Sequence, residues 1–231
     1  MRLAVASMLC IGFSIGLFLS AVASRARAGD YPEPSPYPIS WELSFQHDKP
    51  KRIVVKAPGQ GSRAYWYMTY TVANKTDQDQ MFLPVFELAT KDGKVYRSDK
   101  GVPPRVFEEI KRQGGAQMRF LEPSYKVIGT LRVGEDQAKD SVAIWPEPMS
   151  EMGSFSIYVS GLSGETVTMK MVNGVPIKVK PENIAEEMKG VKEEDKVILR
   201  KTLQLNFVVY GDELFPGLDE VNVKPEAWVM R

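Results

Sequence analysis

The sequence contains few side chains whose type and spacing suit acid–base or metal chemistry. His47 is the only histidine among 231 residues, so a histidine-rich zinc site or a histidine relay cannot be built within one chain. It follows a predicted strand, in the polar stretch 46–49. That position is typical of a surface turn, and we favour this interpretation over a lone metal ligand.

Four methionines could form a soft metal site. Met149 and Met152 are three residues apart, and Met169 and Met171 lie further along the chain. Their thioethers together would suit Cu(I). Met169 and Met171 also continue an alternation that begins at Val167, so packing in a core explains them better.

Asp77 and Asp79 could supply two oxygen ligands to Ca²⁺, but the glycine and the distal glutamate of a calcium-binding loop are missing. Both lie in a polar turn that begins at Asn74. The sequence Asn74-Lys75-Thr76 matches the acceptor site of N-linked glycosylation. We interpret Asn74, Asp77 and Asp79 as turn residues. The sequence therefore predicts neither a metal site nor a cofactor site.

Carboxylate chemistry needs two acidic side chains that flank one cleft. The acidic runs 108–109, 186–187 and 193–195 lie in predicted helices and turns, where a solvated surface explains them. The sequence thus predicts no catalytic residue and favours a protein that is not an enzyme. A carboxylate-dependent hydrolase or lyase on a β-sandwich scaffold remains the alternative.

Tyr65 and Tyr67 are the candidate partner-binding residues. They lie on one face of a predicted strand within the aromatic stretch 64–90, whereas Trp66 lies on the inward face. Exposed tyrosines on a sheet offer a flat contact to a protein or a polysaccharide at low entropic cost. The alternative, which we prefer, is that the segment 165–195 or the tail with Trp228 covers both rings.

The elements that must position these residues are almost all strands. Period-two alternation and turn signals predict strands at 39–45, 51–57, the two halves of 64–90, 95–98, 127–132, 141–145, 154–160, 166–172, 175–179 and 197–210. Two short helices are predicted at 103–113 and 181–189, the first capping one end of the fold. Asp92-Gly93 and Asn173-Gly174 predict two tight hairpins of type I′.

This order of elements favours an all-β, antiparallel β-sandwich with two short helical insertions over an α/β fold. The strand 197–210 should be central and pair with 154–160. Residues 165–195 then form a hairpin-plus-helix insertion. A single domain is expected over 39–231, preceded by a semi-rigid, proline-rich spacer at 29–38.

The first 28 residues have the pattern of a secretory signal. A basic start and the apolar run 3–19 precede small residues, which predicts cleavage after Ala28 or, less favoured, after Ala23; an uncleaved membrane anchor is the alternative. Cleavage removes Cys10, the only cysteine, and changes the formal charge from +1 to 27 − 29 = −2. A nearly neutral chain gives no electrostatic reason to expect nucleic-acid binding.

The order of features resembles secreted bacterial immunoglobulin-like domains of unknown function. The resemblance lies in the segments 70–74, 91–94, 133–135 and 141–144, and it covers roughly residues 39–162 and 197–210. It implies an immunoglobulin-like β-sandwich and an extracytoplasmic location, and no catalytic residue.

We therefore expect an exported protein, periplasmic or extracellular, that acts as a non-catalytic binding module of the cell envelope. Its partner would be an unknown protein or polysaccharide. A purely structural envelope protein is a further alternative. Membrane attachment is expected only if the N-terminal apolar segment stays uncleaved.

Overall fold

The computed structural model describes residues 31–57, 61–148, 153–210 and 220–231. The predicted signal peptide and the pair Met149 and Met152 lie outside these residues. Residues Pro32–Arg231 form one compact unit. Among the helices in the described ranges, none has the length and apolar character needed to cross a membrane.

Fourteen strands and three α-helices make up the described chain. The strands are β1 (Ser44–His47), β2 (Lys51–Ala57), β3 (Gly61–Asn74), β4 (Gln80–Phe82), β5 (Val85–Thr90), β6 (Val95–Arg97), β7 (Glu122–Pro123), β8 (Gly129–Leu131), β9 (Gly134–Pro146), β10 (Ser154–Ser160), β11 (Thr166–Val172), β12 (Val175–Lys178), β13 (Lys196–Val209) and β14 (Val221–Met230). The helices are α1 (Pro104–Gly114), α2 (Ser124–Val127) and α3 (Ile184–Glu187).

The strands form two large sheets and one small one. In the first sheet, β1 and β2 both pair with β3, followed by β9 and β7; in the second, the order is β12-β11-β13-β10-β5-β6, with β14 also on β13. β4 and β8 form the small sheet. The named strand pairs are antiparallel except β7 with β9. The all-β, antiparallel prediction is confirmed.

The two large sheets pack face to face over the main core. Trp66, Met68, Tyr70 and Val72 of β3 contribute one side, as their alternation predicts. Phe155 and Phe207 contribute the other side, with ring centroids 5.3 Å apart, and Phe155 lies 5.9 Å from Trp66. Aromatic pairs at such distances add to the stabilisation that comes from burial alone.

The aromatic stretch 64–90 is not a simple hairpin. β3 lies in the first sheet and β5 in the second, so the chain crosses the core between them. The buried Asn74 holds the connection by donating from Nδ2 to the carbonyl oxygens of Gln78 (2.8 Å) and Leu131 (2.9 Å). The crossing lets both strands face one core from opposite sides.

Helix α1 lies on the outer face of the first sheet, not at an end of the fold as predicted. Pro103 and Pro104 start it, and Gly115, at φ 56° and ψ −134°, ends it. Val106 and Ile110 are fully buried. They join a second cluster with Ile53, Val55, Tyr65, Tyr67, Leu121, Val142 and Ile144. The helix therefore adds a third layer.

The two predicted hairpins have different turns. Asn173 and Gly174 both have positive φ (53° and 77°), as type I′ requires, and β11 pairs with β12 as predicted. In the other hairpin Gly93 has positive φ (80°) but Asp92 does not, and Thr90 N–H donates to the Lys94 carbonyl (3.0 Å). The predicted type I′ turn at Asp92-Gly93 is wrong, because the loop is longer.

Strand β13 is central and pairs with β10, as predicted. β11 pairs with the first part of β13, at Lys196–Arg200. The segment 165–195 therefore begins with the predicted hairpin, which extends the second sheet. Its helical part is shorter than predicted, since a 3₁₀ turn at Pro181–Asn183 precedes α3.

Other predicted boundaries also need correction. The first strand begins at Ser44, not at residue 39 as predicted, and Ile39 is 71% exposed. The predicted strand 127–132 is divided between the end of α2 and β8. β9 begins at Gly134, so it absorbs the predicted turn and extends the predicted strand 141–145.

The proline-rich segment is tied to the second sheet by a buried charge cluster. Lys201 Nζ lies 3.0 Å from Glu42 Oε2 and 3.4 Å from Glu165 Oε2. The backbone N–H of Ser35 donates to Glu165 Oε1 (2.7 Å), and Lys201 Nζ to the carbonyl oxygen of Ser35 (3.4 Å). Because an unpaired buried charge is costly, these contacts hold the segment against the second sheet at Ser35.

Candidate functional site

Tyr65 and Tyr67, the predicted partner-binding residues, are buried. Their exposed fractions are 4% and 8%. Helix α1 covers them, not the segment 165–195 or the Trp228 tail. Burial raises the pKa of Tyr67, and the nearby carboxylate of Asp48 raises it further. Neither ring is available to a partner, so a functional surface must be sought elsewhere.

Trp228 lies on β14, and its partly buried ring packs against the main core. Lys201 Nζ lies 5.0 Å from the ring centroid, a cation–π distance. The Trp228 ring therefore packs on the main core and does not form the cover over Tyr65 and Tyr67. Trp228 contacts Lys201 of the charge cluster and the main core, whereas Tyr65 and Tyr67 belong to the second cluster.

His47 lies at the edge of the first sheet, with its ring 6.0 Å from Phe45 and 6.1 Å from Phe207. Its Nδ1 is 3.0 Å from the carbonyl oxygen of Asp48, and its Nε2 is 3.7 Å from the Glu226 carboxylate. Within the described ranges, no group of three or more His, Cys, Asp or Glu side chains is placed to hold a metal ion. These contacts give His47 a packing environment.

The other candidates take structural positions. Asp79 Oδ1 accepts from the backbone N–H of Val133 (3.0 Å), which ties the turn to β9. Met169 is buried in a small cluster with Leu199 and Met230, as core packing predicts. Asn74 is buried with its amide engaged, so the turn interpretation holds for it.

Helix α1 leaves two openings on the outer face of the first sheet. The opening beside its first turn, which we call the apolar pocket, has a volume of about 260 Å³. Its floor is formed by Val142 and Ile144 of β9. Its walls include Pro103, Pro104, Phe107, Pro123 and Tyr125. A concave apolar site with few polar groups is the usual form of a ligand site.

Asp99 supplies the main polar group of the apolar pocket. It has a left-handed backbone (φ 62°), which few residues other than glycine adopt. Its backbone N–H donates to the Ile144 carbonyl oxygen (2.7 Å), and its Oδ2 accepts from Ser98 Oγ (3.0 Å). These bonds hold the strained residue in place at the edge of the pocket.

The surroundings of the Asp99 carboxyl group change its pKa. Asp99 is an exposed residue, yet desolvation of its carboxyl group by the surrounding pocket atoms raises the pKa above its ordinary value. Hydrogen bonds with Ser98, Ser124 and the Ile144 backbone oppose that rise without cancelling it. Perturbed acids in clefts are enriched at functional sites, and backbone strain is enriched there as well.

The second opening, which we call the polar cleft, lies beyond the other end of α1 and has a volume of about 350 Å³. On its floor, Thr69 Oγ1 donates to Asp48 Oδ2 (2.5 Å), and Thr71 Oγ1 donates to Asp140 Oδ1 (2.6 Å). Gln46, Lys51, Gln117 and Met118 also line it. Two carboxylates thus share one cleft.

The two openings differ in charge as well as polarity. The apolar pocket carries Asp99 and Glu108, and no lysine or arginine is among its described lining residues. The polar cleft combines two aspartates with Lys51 and His47. A ligand of the pocket must therefore be largely apolar, whereas a ligand of the cleft must exchange hydrogen bonds along its whole length.

Comparisons with family models, with curated proteins and with solved structures give no match to this chain. The geometry of the two openings is therefore the basis for a proposed function.

Asp99 and both openings were not predicted from the sequence. The local signal for Asp99 is the run Ser98-Asp99-Lys100-Gly101 before two prolines, because aspartate tolerates a left-handed turn position better than most residues. The pocket itself had no local signal, since its floor and walls come from separate segments between residues 99 and 144.

Proposed function

We propose that the chain is an exported, non-catalytic binding module of the cell envelope that receives a group of a partner protein in the apolar pocket. The observation that carries this proposal is the apolar pocket itself, with Asp99 held in a strained backbone at its edge. Strain of this kind costs of order 1–3 kcal/mol and persists where the surrounding structure enforces it.

Two features support the binding role and the location. The pattern of residues 1–28 favours export. The two antiparallel sheets around one core agree with the immunoglobulin-like sandwich that we propose as the finer description of the fold. Such scaffolds carry function at their surfaces, so a surface pocket argues for a binding role more directly than the fold does.

The exposed aromatic residues near α2 provide a matched test. Tyr125 lines the apolar pocket and is 73% exposed. Phe120, five residues earlier, is 74% exposed and is not among the pocket's lining residues. Both rings can be removed at little expected cost in stability, because surface substitutions usually change it by less than about 0.5 kcal/mol.

We would select binders from a displayed library of random twelve-residue peptides on the purified protein and measure their affinities by calorimetry. Tyr125→Ala should weaken the selected peptides about tenfold or more, since aromatic residues dominate such contacts. Phe120→Ala should leave the affinity unchanged. The proposal is contradicted if the library yields no binder, or if Tyr125→Ala does not change the affinity of the selected peptides. Either result favours a purely structural envelope protein.

A carboxylate-dependent hydrolase is the second candidate, because Asp48 and Asp140 line one polar cleft. Thr69 and Thr71, which are about 7 Å apart along the strand, each donate to one of the two carboxylates. However, acid–base pairs depend on two unlike environments, and each aspartate here accepts from a threonine hydroxyl. Hydrolysis of a β-glucan or peptidoglycan panel that Asp48→Asn and Asp140→Asn abolish would establish this candidate instead.

A further inference from the structure

The charges around the apolar pocket constrain what can enter it. Asp99 and Glu108 are the two ionisable acids among its lining residues, and both lie beside apolar walls. An anionic group would meet two like charges, and a neutral apolar group would leave the Asp99 carboxylate to solvent. A group with an apolar stem and a positive end satisfies both surfaces.

The nearest basic side chains do not neutralise the pocket. Lys100, Arg105 and Lys126 adjoin lining residues in sequence, yet none of them is among the residues that form the walls. Arg105 Nη1 instead donates to the carbonyl oxygen of Lys56 (3.5 Å). The described lysines and arginines therefore do not line the apolar pocket, and a cation from another molecule can bind there.

The hydrogen bonds of Asp99 select the kind of cation. Asp99 Oδ2 already accepts from Ser98 Oγ (3.0 Å), so one of the two carboxylate oxygens is engaged. A guanidinium group binds a carboxylate best through two parallel hydrogen bonds that use both oxygens, whereas an ammonium group acts as a point charge. A carboxylate with one oxygen already engaged therefore suits an ammonium group better.

We infer that the apolar pocket receives a lysine side chain of a partner protein, with the ammonium group on the Asp99 carboxylate and the aliphatic stem against the floor formed by Val142 and Ile144. This inference rests on the proposed binding function and names the group that is bound. Tyr125 at the rim can contact the stem or the cation through its exposed ring.

The test uses five-residue peptides that are acetylated and amidated, with one variable position between glycines. Lysine, arginine, norleucine and glutamate occupy that position in turn. Binding is followed through the amide signals of Ser124 and Ile144 in NMR titrations of the whole protein. We expect the lysine peptide to bind about ten- to a hundredfold more tightly than the norleucine peptide, the usual worth of a charge-assisted hydrogen bond. The arginine peptide should bind more weakly than lysine, and glutamate should not bind.

The matched variants are Asp99→Asn and Asp92→Asn. Asparagine also tolerates the left-handed backbone, so Asp99→Asn keeps the fold, which circular dichroism checks, while removing the charge. It should abolish the preference for lysine over norleucine. Asp92→Asn removes the same charge in a hairpin outside the pocket and should leave that preference intact.

The outcomes separate the two proposals. Equal affinity for lysine and norleucine peptides overturns the inference and leaves the binding function standing, and equal affinity for arginine overturns the choice of lysine. If n-butylammonium alone binds as tightly as the lysine peptide, the source is a small amine and not a partner protein. If no peptide shifts the two signals, both the inference and the proposed function fail.

Discussion

The two faces of β3 are covered in different ways. Its inward face, with Trp66, Met68, Tyr70 and Val72, is closed along its length by the second sheet. Its outward face is covered by α1 over Tyr65 and Tyr67 only. Further along the same face, Thr69 and Thr71 line the polar cleft.

The difference follows from the dimensions of the covering elements. An α-helix of 11 residues is about 16 Å long, whereas a strand of 14 residues extends for about 48 Å. A sheet of comparable strands can close such a face, but one short helix cannot. The polar cleft thus lies over the part of β3 that the short helix does not cover, whereas the apolar pocket at the other end of α1 lies over β9.

The largest expected effect comes from the inward face. Trp66→Ala removes a side chain that is almost completely buried between Phe155 and its neighbours. The lost burial and the resulting cavity should lower the free energy of unfolding by about 4 kcal/mol, measured by urea denaturation. Because both sheets share this core, unfolding followed by fluorescence and by circular dichroism should still give coincident transitions. A loss below about 1 kcal/mol would contradict the continuous closure of this face.

Truncation under the helix should have a smaller and more local effect. Ile110→Ala removes a fully buried contact between α1 and the first sheet, at an expected cost of about 2–3 kcal/mol. Hydrogen exchange should speed up in α1 more than in β13, since a single helix can open without the sheets separating. Equal acceleration in both elements would mean that the helix layer is not a separate unit.

Strand alternation predicted the inward face of β3, the central position of β13 and its pairing with β10. These features depend on local periodicity and on burial, which the sequence carries directly. The position of α1 depended instead on which surface remained uncovered after the sheets paired. The helix 103–113 was predicted within a residue or two, but its place on the outer face was not.

The candidate site was less predictable than the fold. Tyr65 and Tyr67 have the alternation of an exposed face, and only the long-range position of α1 decides that they are buried. The apolar pocket joins the loop at Asp99, the first turn of α1, β7, α2 and β9. No pattern within any one of these segments specifies the others.

The backbone at Asp99 provides a prediction of intermediate size. A residue with a β-carbon at φ 62° is strained relative to glycine by roughly 1–2 kcal/mol. Asp99→Ala and Asp99→Gly lose the same carboxylate hydrogen bonds, so their difference isolates the backbone. We expect the glycine variant to be more stable than the alanine variant by about 1 kcal/mol in thermal or urea unfolding.

Two other positions serve as controls for the comparison of the glycine and alanine variants at position 99. Asn173, at φ 53°, lies in a hairpin outside both openings and should show the same preference for glycine over alanine. Arg97, an exposed residue of β6, should show the opposite preference, because glycine weakens a strand. Greater stability of alanine at position 99 would show that the left-handed conformation there is not retained.

The smallest expected effect is a change of stability with pH. It concerns the apolar pocket beside the first turn of α1, because the inward face of β3 carries no carboxylate. Burial raises the pKa of Asp99 in the folded protein. Between its ordinary pKa in the unfolded chain and this higher folded pKa, the folded protein binds more protons. The free energy of unfolding therefore falls as pH rises through that interval.

Asp99→Asn removes this contribution of the carboxyl group to the pH dependence of stability. The parent should thus lose stability relative to the variant between about pH 3 and about pH 7, by less than about 1 kcal/mol because solvent screens the partly exposed carboxylate. The other ionisable residues that face the pocket, Glu108 and Tyr125, are present in both proteins, so their contributions cancel in the difference. Urea unfolding of both proteins at the two pH values gives that difference, and a constant or reversed difference would show that the Asp99 carboxyl group is as well solvated in the fold as in the unfolded chain.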